Sequence, residues 1–369
     1  MIQLERKELM LLALLRAALH GSIQADTSIE TASDADWRDC YKLACAQGVM
    51  AIAWDGYLLM QEHCSLPRDL KLNWGLAVQR YEEKYERYCA AASELSDFYA
   101  EHGIAMIQMK GVGLSSYYPH PEHREGGDID IYTYSSDRSR MSDEEANSLA
   151  DRLMSEKDIE VDDGYAKHSC FFYKGIPVEN HKRFLNVDSF KIAADMNNLL
   201  LEVMAPRQVQ LCGGKYGISI PSPEFNALFL SFHAAQHYGA GLALHHIVDW
   251  AMLLKEYGLC MPAGVSDSRF LRFVDGLTGI CRRYLAMDVA PSSSAEMADE
   301  IFSQLMRPKF PHKAAPQNMN KLQILVYKTR RMLCFHRLQA TVFESSLSGR
   351  IWKSVIAHIK KPDTIFKTQ

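Results

Sequence analysis

The chain has 369 residues, 47% of them hydrophobic, and a net charge of −4, so it is longer than one ordinary domain and carries enough apolar material for its own cores. Its nine cysteines, an odd number without a Cys-x-x-Cys pair, fit neither a disulfide framework nor a structural zinc site and point to a reducing compartment, the cytoplasm by default. No segment reaches the roughly 18 uninterrupted apolar residues of a membrane span.

Residues 1–97 read as helical. The apolar run 9–15 follows Glu5 and Glu8 and ends at Arg16 without a small-residue cleavage site, so it is an amphipathic helix, with Leu11, Leu12, Leu15 and Ala18 on one period. Residues 37–47 and a charged stretch at 81–99 continue the pattern, punctuated by Gly21, Ser65-Leu66-Pro67 and Gly103. Short strands then take over. Residues 104–109 and 128–133 are apolar enough for strands; 112–118 suits a short helix, and Pro119-His120-Pro121 forces a loop. Ser142 to Glu145 has capping-box spacing ahead of a helical face of Ala146, Leu149, Ala150, Leu153 and Met154. Strands are expected at 159–161, 169–173 and 176–180, the last two joined at Lys174-Gly175, with Pro177 weakening the final one.

Helices resume at Ser222-Pro223-Glu224, where a cap, a first-turn proline and an acid coincide, with Phe225, Leu228, Phe229 and Phe232 as the core stripe. Gly239 and Gly241 break that helix, a second spans 242–257, and further helices reach residue 359 around a loop at 308–316. The pattern predicts an α+β chain, with a small mixed-sheet core at 98–221 between helical regions at 1–97 and 222–369.

One segment carries chemistry. Asp128 and Asp130 stand one residue apart, flanked by Ile129 and Ile131, so alternation puts both carboxylates on one strand face. Adjacent like charges are tolerated where a divalent cation sits between them, which makes this a magnesium-type site. Upstream, Lys110-Gly111 with Gly113 makes a small-residue turn that lets backbone amides approach phosphates. These parts fit nucleotidyl transfer, in which catalysis is mostly positioning and neutralisation of phosphate charge by metal ions.

A third carboxylate, activating the attacking hydroxyl through its metal, is expected at Glu179, which ends an apolar strand; Glu160, Asp162 and Asp163 are weaker rivals. Lys110 either neutralises the acidic cluster or contacts triphosphate. Arg124 either clamps phosphate with its planar fork or braces its loop against Glu122 or Glu125.

The run Lys110-Gly111-x-x-Leu114, Tyr118-Pro119, Arg124 and Gly127-Asp128-Ile129-Asp130 resembles the uncharacterised nucleotidyltransferase family of the DNA polymerase β-like superfamily. Glu179-Asn180-His181 matches that family's later carboxylate and histidine, and residues 37–48, 232–237 and 246–250 resemble its flanking helices. The resemblance implies a minimal nucleotidyltransferase fold using two Mg2+ (or Mn2+) ions on Asp128, Asp130 and Glu179. It also implies an NTP received by Lys110, Gly111, Arg124 and Gly127, and His181 set behind the carboxylates. It supplies no acceptor, which could be a protein, a sugar, a small molecule or RNA. Two features depart from the family: the usual Gly-Ser or Gly-Gly turn is Gly111-Val112, and 17 positions separate Gly111 from Asp128, more than most members show.

Two other features compete for a role. His233 and His237 lie four apart, with His245, His246 and Asp249 shortly after, so a helical metal-dependent hydrolase centred on His233, His237 and Asp249 is an alternative, as is a degenerate nucleotide-binding scaffold. From Arg307 onward, 13 Lys and Arg face two acids, a local +11, and residues 350–361 form a basic amphipathic pattern. That part either packs on the acidic body or contacts an anionic surface.

Overall fold

The computed structural model describes residues 3–23, 26–187, 190–239, 241–308 and 320–344. Helices open the chain: α1 Arg6–His20, α2 Thr27–Glu30, α3 Asp34–Ala46, α4 Met50–Met60 and α5 Arg68–Glu101. Ser33 caps α3 while Asp36 returns to the Ser33 amide, a reciprocal box that fixes its start. Gly56 permits the crossing of α1 and α4, since a Cβ there would stand 2.0 Å from the Leu14 carbonyl oxygen. The charged stretch at 81–99 is only the second half of α5. Its first half is anchored by Leu70, Trp74 and Val78, which bury on a helical period.

Next come β1 Ile104–Gln108, α6 Val112–Ser115, β2 Ile129–Ser135, α7 Asp143–Glu156, β3 Val161–Asp162, β4 His168–Tyr173 and β5 Ile176–His181. They make a five-stranded mixed sheet in the order β1-β2-β5-β4-β3, in which only β2 and β5 run parallel. Helix α6 is shorter than the expected 112–118, because the Ser115 and Ser116 hydroxyls donate to the Val112 and Gly113 carbonyls and compete with the helical ladder. Pro177 is tolerated because pairing with β2 starts one residue later, at Val178 opposite Ile129. α7 packs on the back of the sheet, where Asn147 Nδ2 donates to Thr133, Asn180 and the His181 carbonyl and ties β2 to β5.

The remainder comprises α8 Ala193–Glu202, a hairpin of β6 Arg207–Leu211 and β7 Tyr216–Ile220, then α9 Pro223–His237, α10 Leu244–Tyr257, α11 Ser268–Tyr284, α12 Ala295–Met306 and α13 Lys321–Ala340. The hairpin was not expected. Its Leu211, Ile218 and Ile220 join the apolar core formed by the sheet, α7 and the second half of α5. A second core combines α1 to α4 and the first half of α5 with α9 to α12, so the two terminal helical regions share one interior. Most of the expected loop at 308–316 and the basic pattern at 350–361 lie outside the described residues. Within them, Arg307 pairs with Glu8 at 2.7 Å. No helix among the described residues is long and apolar enough to cross a membrane.

Candidate active site

Parallel pairing sets the site. Asp130 on β2 stands opposite Glu179 on β5, and Tyr132 opposite His181, so Asp130, Glu179 and His181 share one face. On the next strand Cys170 and His168 pair with Glu179 and His181 and extend that face. Ligand atoms of Asp130, Glu179 and His181 lie within 4.8 Å of one another, as do those of His168, Cys170 and Glu179. Glu179 therefore stands beside Asp130, while Asp162 sits on the outermost strand, β3.

Asp130 is wholly buried. Lys110 Nζ lies 2.9 Å from its Oδ1 and His181 Nε2 donates to the same oxygen at 3.0 Å; Oδ2 has no hydrogen-bond partner. Burial alone would raise its pKa, but Lys110 and His181 hold the carboxyl well below the usual range. Asp128 behaves oppositely: burial and the charge on Asp130 push it up to about 6. His181, whose Nε2 also lies 3.4 Å from Glu179 Oε2, is the main reason that Glu179 stays low. Lys110 is thus engaged by the acidic cluster. Burial works against its charge, yet Asp130 and Asp128 outweigh that and hold the ammonium above its usual range.

Gly111 has φ +62°, and a Cβ there would lie 3.1 Å from the Asp128 carbonyl oxygen, so only glycine fits the approach of the Lys-Gly turn to the carboxylate strand. The connecting loop is tied residue by residue. His123 bonds Asp55 on α4 through Nδ1 at 2.8 Å and Glu82 on α5 through Nε2 at 3.1 Å. The Arg124 fork grips Asp249 on α10 with two bonds of 2.8 Å, and a third nitrogen donates to the Gly111 carbonyl at 2.9 Å. Arg124 therefore braces the loop against Asp249, and neither Glu122 nor Glu125 supplies the carboxylate. Glu125 instead accepts from the Met50 amide, Lys84 donates to the Gly126 carbonyl, and Tyr88 donates to that of Gly127.

A cavity of about 130 Å³ lies against this loop. Lys110, Gly111, Arg124, Gly127 and Asp128 line it on one side, and His233, His245 and His246 on the other. Asp249 does not join the histidines, because Arg124 and the Tyr118 hydroxyl occupy its carboxylate. The third member of that cluster is His246, its ligand atom within 4.8 Å of those of His233 and His237.

The sequence reading missed Lys167 and His168. Lys167 is half-buried within electrostatic reach of Asp130, Glu179 and Asp128, and burial together with Lys110 lowers its pKa. A lysine-histidine pair opening a strand one residue before the expected start was the available signal.

The mixed sheet with its Lys-Gly turn and aligned carboxylates is that of a nucleotidyltransferase-like α+β protein. The chain belongs to the uncharacterised nucleotidyltransferase family, whose sequence profile matches residues 33–269. One solved structure, an antigenic nucleotidyltransferase-like protein from Paracoccidioides brasiliensis, matches with 14% identity and a TM-score of 0.36, over 56% of this chain and 96% of its own. No curated protein matches.

Proposed function

We propose that the protein is a metal-dependent nucleotidyltransferase that moves a nucleoside monophosphate from an NTP to a hydroxyl-bearing acceptor. The observation that carries this reading is the register of β2 and β5, which brings Glu179 beside Asp130, while the adjoining Asp128 lines a cavity together with Lys110 and Gly111. The donor set fits divalent cations. Asp130 Oδ2 is buried without a partner, and Asp128 is pushed up by burial and by the charge on Asp130. Asp128, Asp130 and Glu179 would hold two Mg2+ or Mn2+ ions, which when bound supply charge neutralisation along the phosphate chain.

The chain's own groups then divide the work. Gly127 leaves open space at the backbone for the phosphates, Gly111 lets the turn close on the Asp128 carbonyl, and Lys110 lies where its ammonium can turn from Asp130 to a phosphate oxygen. The acceptor oxygen forms a bond to the α-phosphorus as the bond to the β-phosphate oxygen breaks and pyrophosphate leaves. The acceptor proton passes to Asp128, whose carboxyl is pushed up, because Lys110 and His181 hold Asp130 ionised and His181 keeps Glu179 low. Arg124 positions the turn through the Gly111 carbonyl and need not touch the nucleotide.

The test supplies each NTP labelled at the α- or γ-phosphate, with Mg2+ or Mn2+ and a cell extract as acceptor source. Metal-dependent transfer of the α label with release of pyrophosphate is expected, lost in Asp130→Asn. Transfer of the γ label alone, or no incorporation above the Asp130→Asn background, would refute it.

A further inference from the structure

The cavity has a second wall that nucleotidyl transfer does not use. His233 and His237 stand one turn apart on α9, and His246 enters from the third position of α10, so two helices bring three imidazoles together. Their ring centroids are separated by 4.5 Å (His233 to His237), 5.5 Å (His233 to His246) and 5.3 Å (His237 to His246). One ligand atom from each lies within 4.8 Å of the others. His246 Nδ1 accepts from the Ala243 amide at 3.2 Å and lies 3.3 Å from the Ala243 carbonyl, so binding an ion through Nε2 moves the ring proton to Nδ1 and turns that contact into a bond to the carbonyl, the backbone contact that commonly orients a metal-binding histidine.

The chemistry of the cluster differs from that of the carboxylates opposite. Asp249, the acid nearest in sequence, is held by Arg124 and Tyr118, so the three ligand groups are nitrogen donors only. Neutral imidazoles suit zinc and its neighbours; oxygen clusters suit magnesium.

From this we infer that His233, His237 and His246 bind one divalent transition-metal ion of the zinc type, with a coordination position open to the cavity. His233 and His246 line that cavity directly, so an ion between them faces the space bounded by Lys110, Gly111 and Asp128. The open position takes an oxyanion, such as a phosphate oxygen of whatever enters the cavity. Three protein ligands and one exchangeable site is the arrangement of reactive rather than purely structural zinc. The inference does not depend on nucleotidyl transfer.

The experiment uses the full chain, stripped with chelator and titrated with Co2+ and then Zn2+. One tightly bound Co2+ per chain is expected to show the visible absorption of a low-coordinate imidazole site, displaced stoichiometrically by Zn2+, apart from any weaker binding at the carboxylates. His233→Ala and His246→Ala should each weaken binding by more than the roughly 10- to 100-fold that loss of an outer-shell partner costs. Asp130→Asn should leave the absorption unchanged. X-ray absorption of the zinc-loaded wild-type chain needs no variant and should show three imidazoles in the metal shell.

No stoichiometric binding, an oxygen-only shell, or absorption lost in Asp130→Asn and kept in the histidine variants would overturn the site. Pyrophosphate should shift the cobalt bands; unshifted bands would overturn the open position.

Discussion

Asp249→Ala probes the buried link between the loop at residues 119–127 and α10. In the wild-type chain the Arg124 and Asp249 side chains are 9% and 6% exposed and share two bonds of 2.8 Å, and the Tyr118 hydroxyl donates to the same carboxylate at 2.6 Å. Removing the carboxylate leaves a buried guanidinium with only the Gly111 and Glu125 carbonyls, and a buried hydroxyl without its acceptor. Breaking such a pair from one side costs about 3–5 kcal/mol, because the remaining charge is desolvated and unpaired. Arg124→Met combined with Asp249→Leu removes both charges and should cost less than Asp249→Ala alone. Urea unfolding followed by tryptophan fluorescence at two salt concentrations reads this out, and the loss should be insensitive to salt. A cost below about 1 kcal/mol for Asp249→Ala, or a double variant whose cost equals the sum of the two single ones, would show that the pair is not the buried link described.

Asp128→Asn and Asp130→Asn should both abolish metal-dependent transfer yet move metal-free melting temperature in opposite directions. Asp128→Asn relieves a repulsion, and Asp130→Asn strips Lys110 and His181 of their acceptor. Gly111→Ala should cost about 1–3 kcal/mol in urea unfolding and weaken NTP binding, since it forces a side chain to positive φ against the Asp128 carbonyl. The His123 pKa is raised: burial works against the charge, and Asp55 with Glu82 outweighs it. A raised folded-state value means that the stabilisation is full below the unfolded value of roughly 6.5 and fades as pH climbs through the folded one. The stability gap between wild type and His123→Gln should therefore shrink with rising pH across that window. A gap that widens would contradict the imidazolium bridge.

Local pattern made some of this legible and hid the rest. Asp128, Asp130 and the Lys-Gly turn could be read because alternation and a tight turn are short-range properties, and Glu179 because an apolar strand ended on it. The parallel register that sets Glu179 beside Asp130 is tertiary, as is the partner of Arg124, which lies 125 positions away. The rival grouping of Asp249 with His233 and His237 fails because proximity in sequence to histidines says nothing about a distant guanidinium. The hairpin β6-β7 did leave a trace, with Val209 and Leu211, then Ile218 and Ile220, alternating around Gly213-Gly214. It was masked because the intervening polar residues diluted the apolar run.

The tethering of residues 123–127 to α4, α5 and α10 also bears on how the mixed-sheet core can be moved or shortened. An excised sheet unit would carry Arg124, Glu125 and His123 with their partners left behind, so it would present exposed charged stumps where the whole chain has a fixed rim. Grafting the carboxylates onto another scaffold meets the same obstacle. Conversely, a substitution at Asp55, Lys84 or Asp249, each far from residue 128 along the chain, should surface in screens as an apparent active-site lesion. Compensating changes should be sought across those helices before they are sought among the carboxylates.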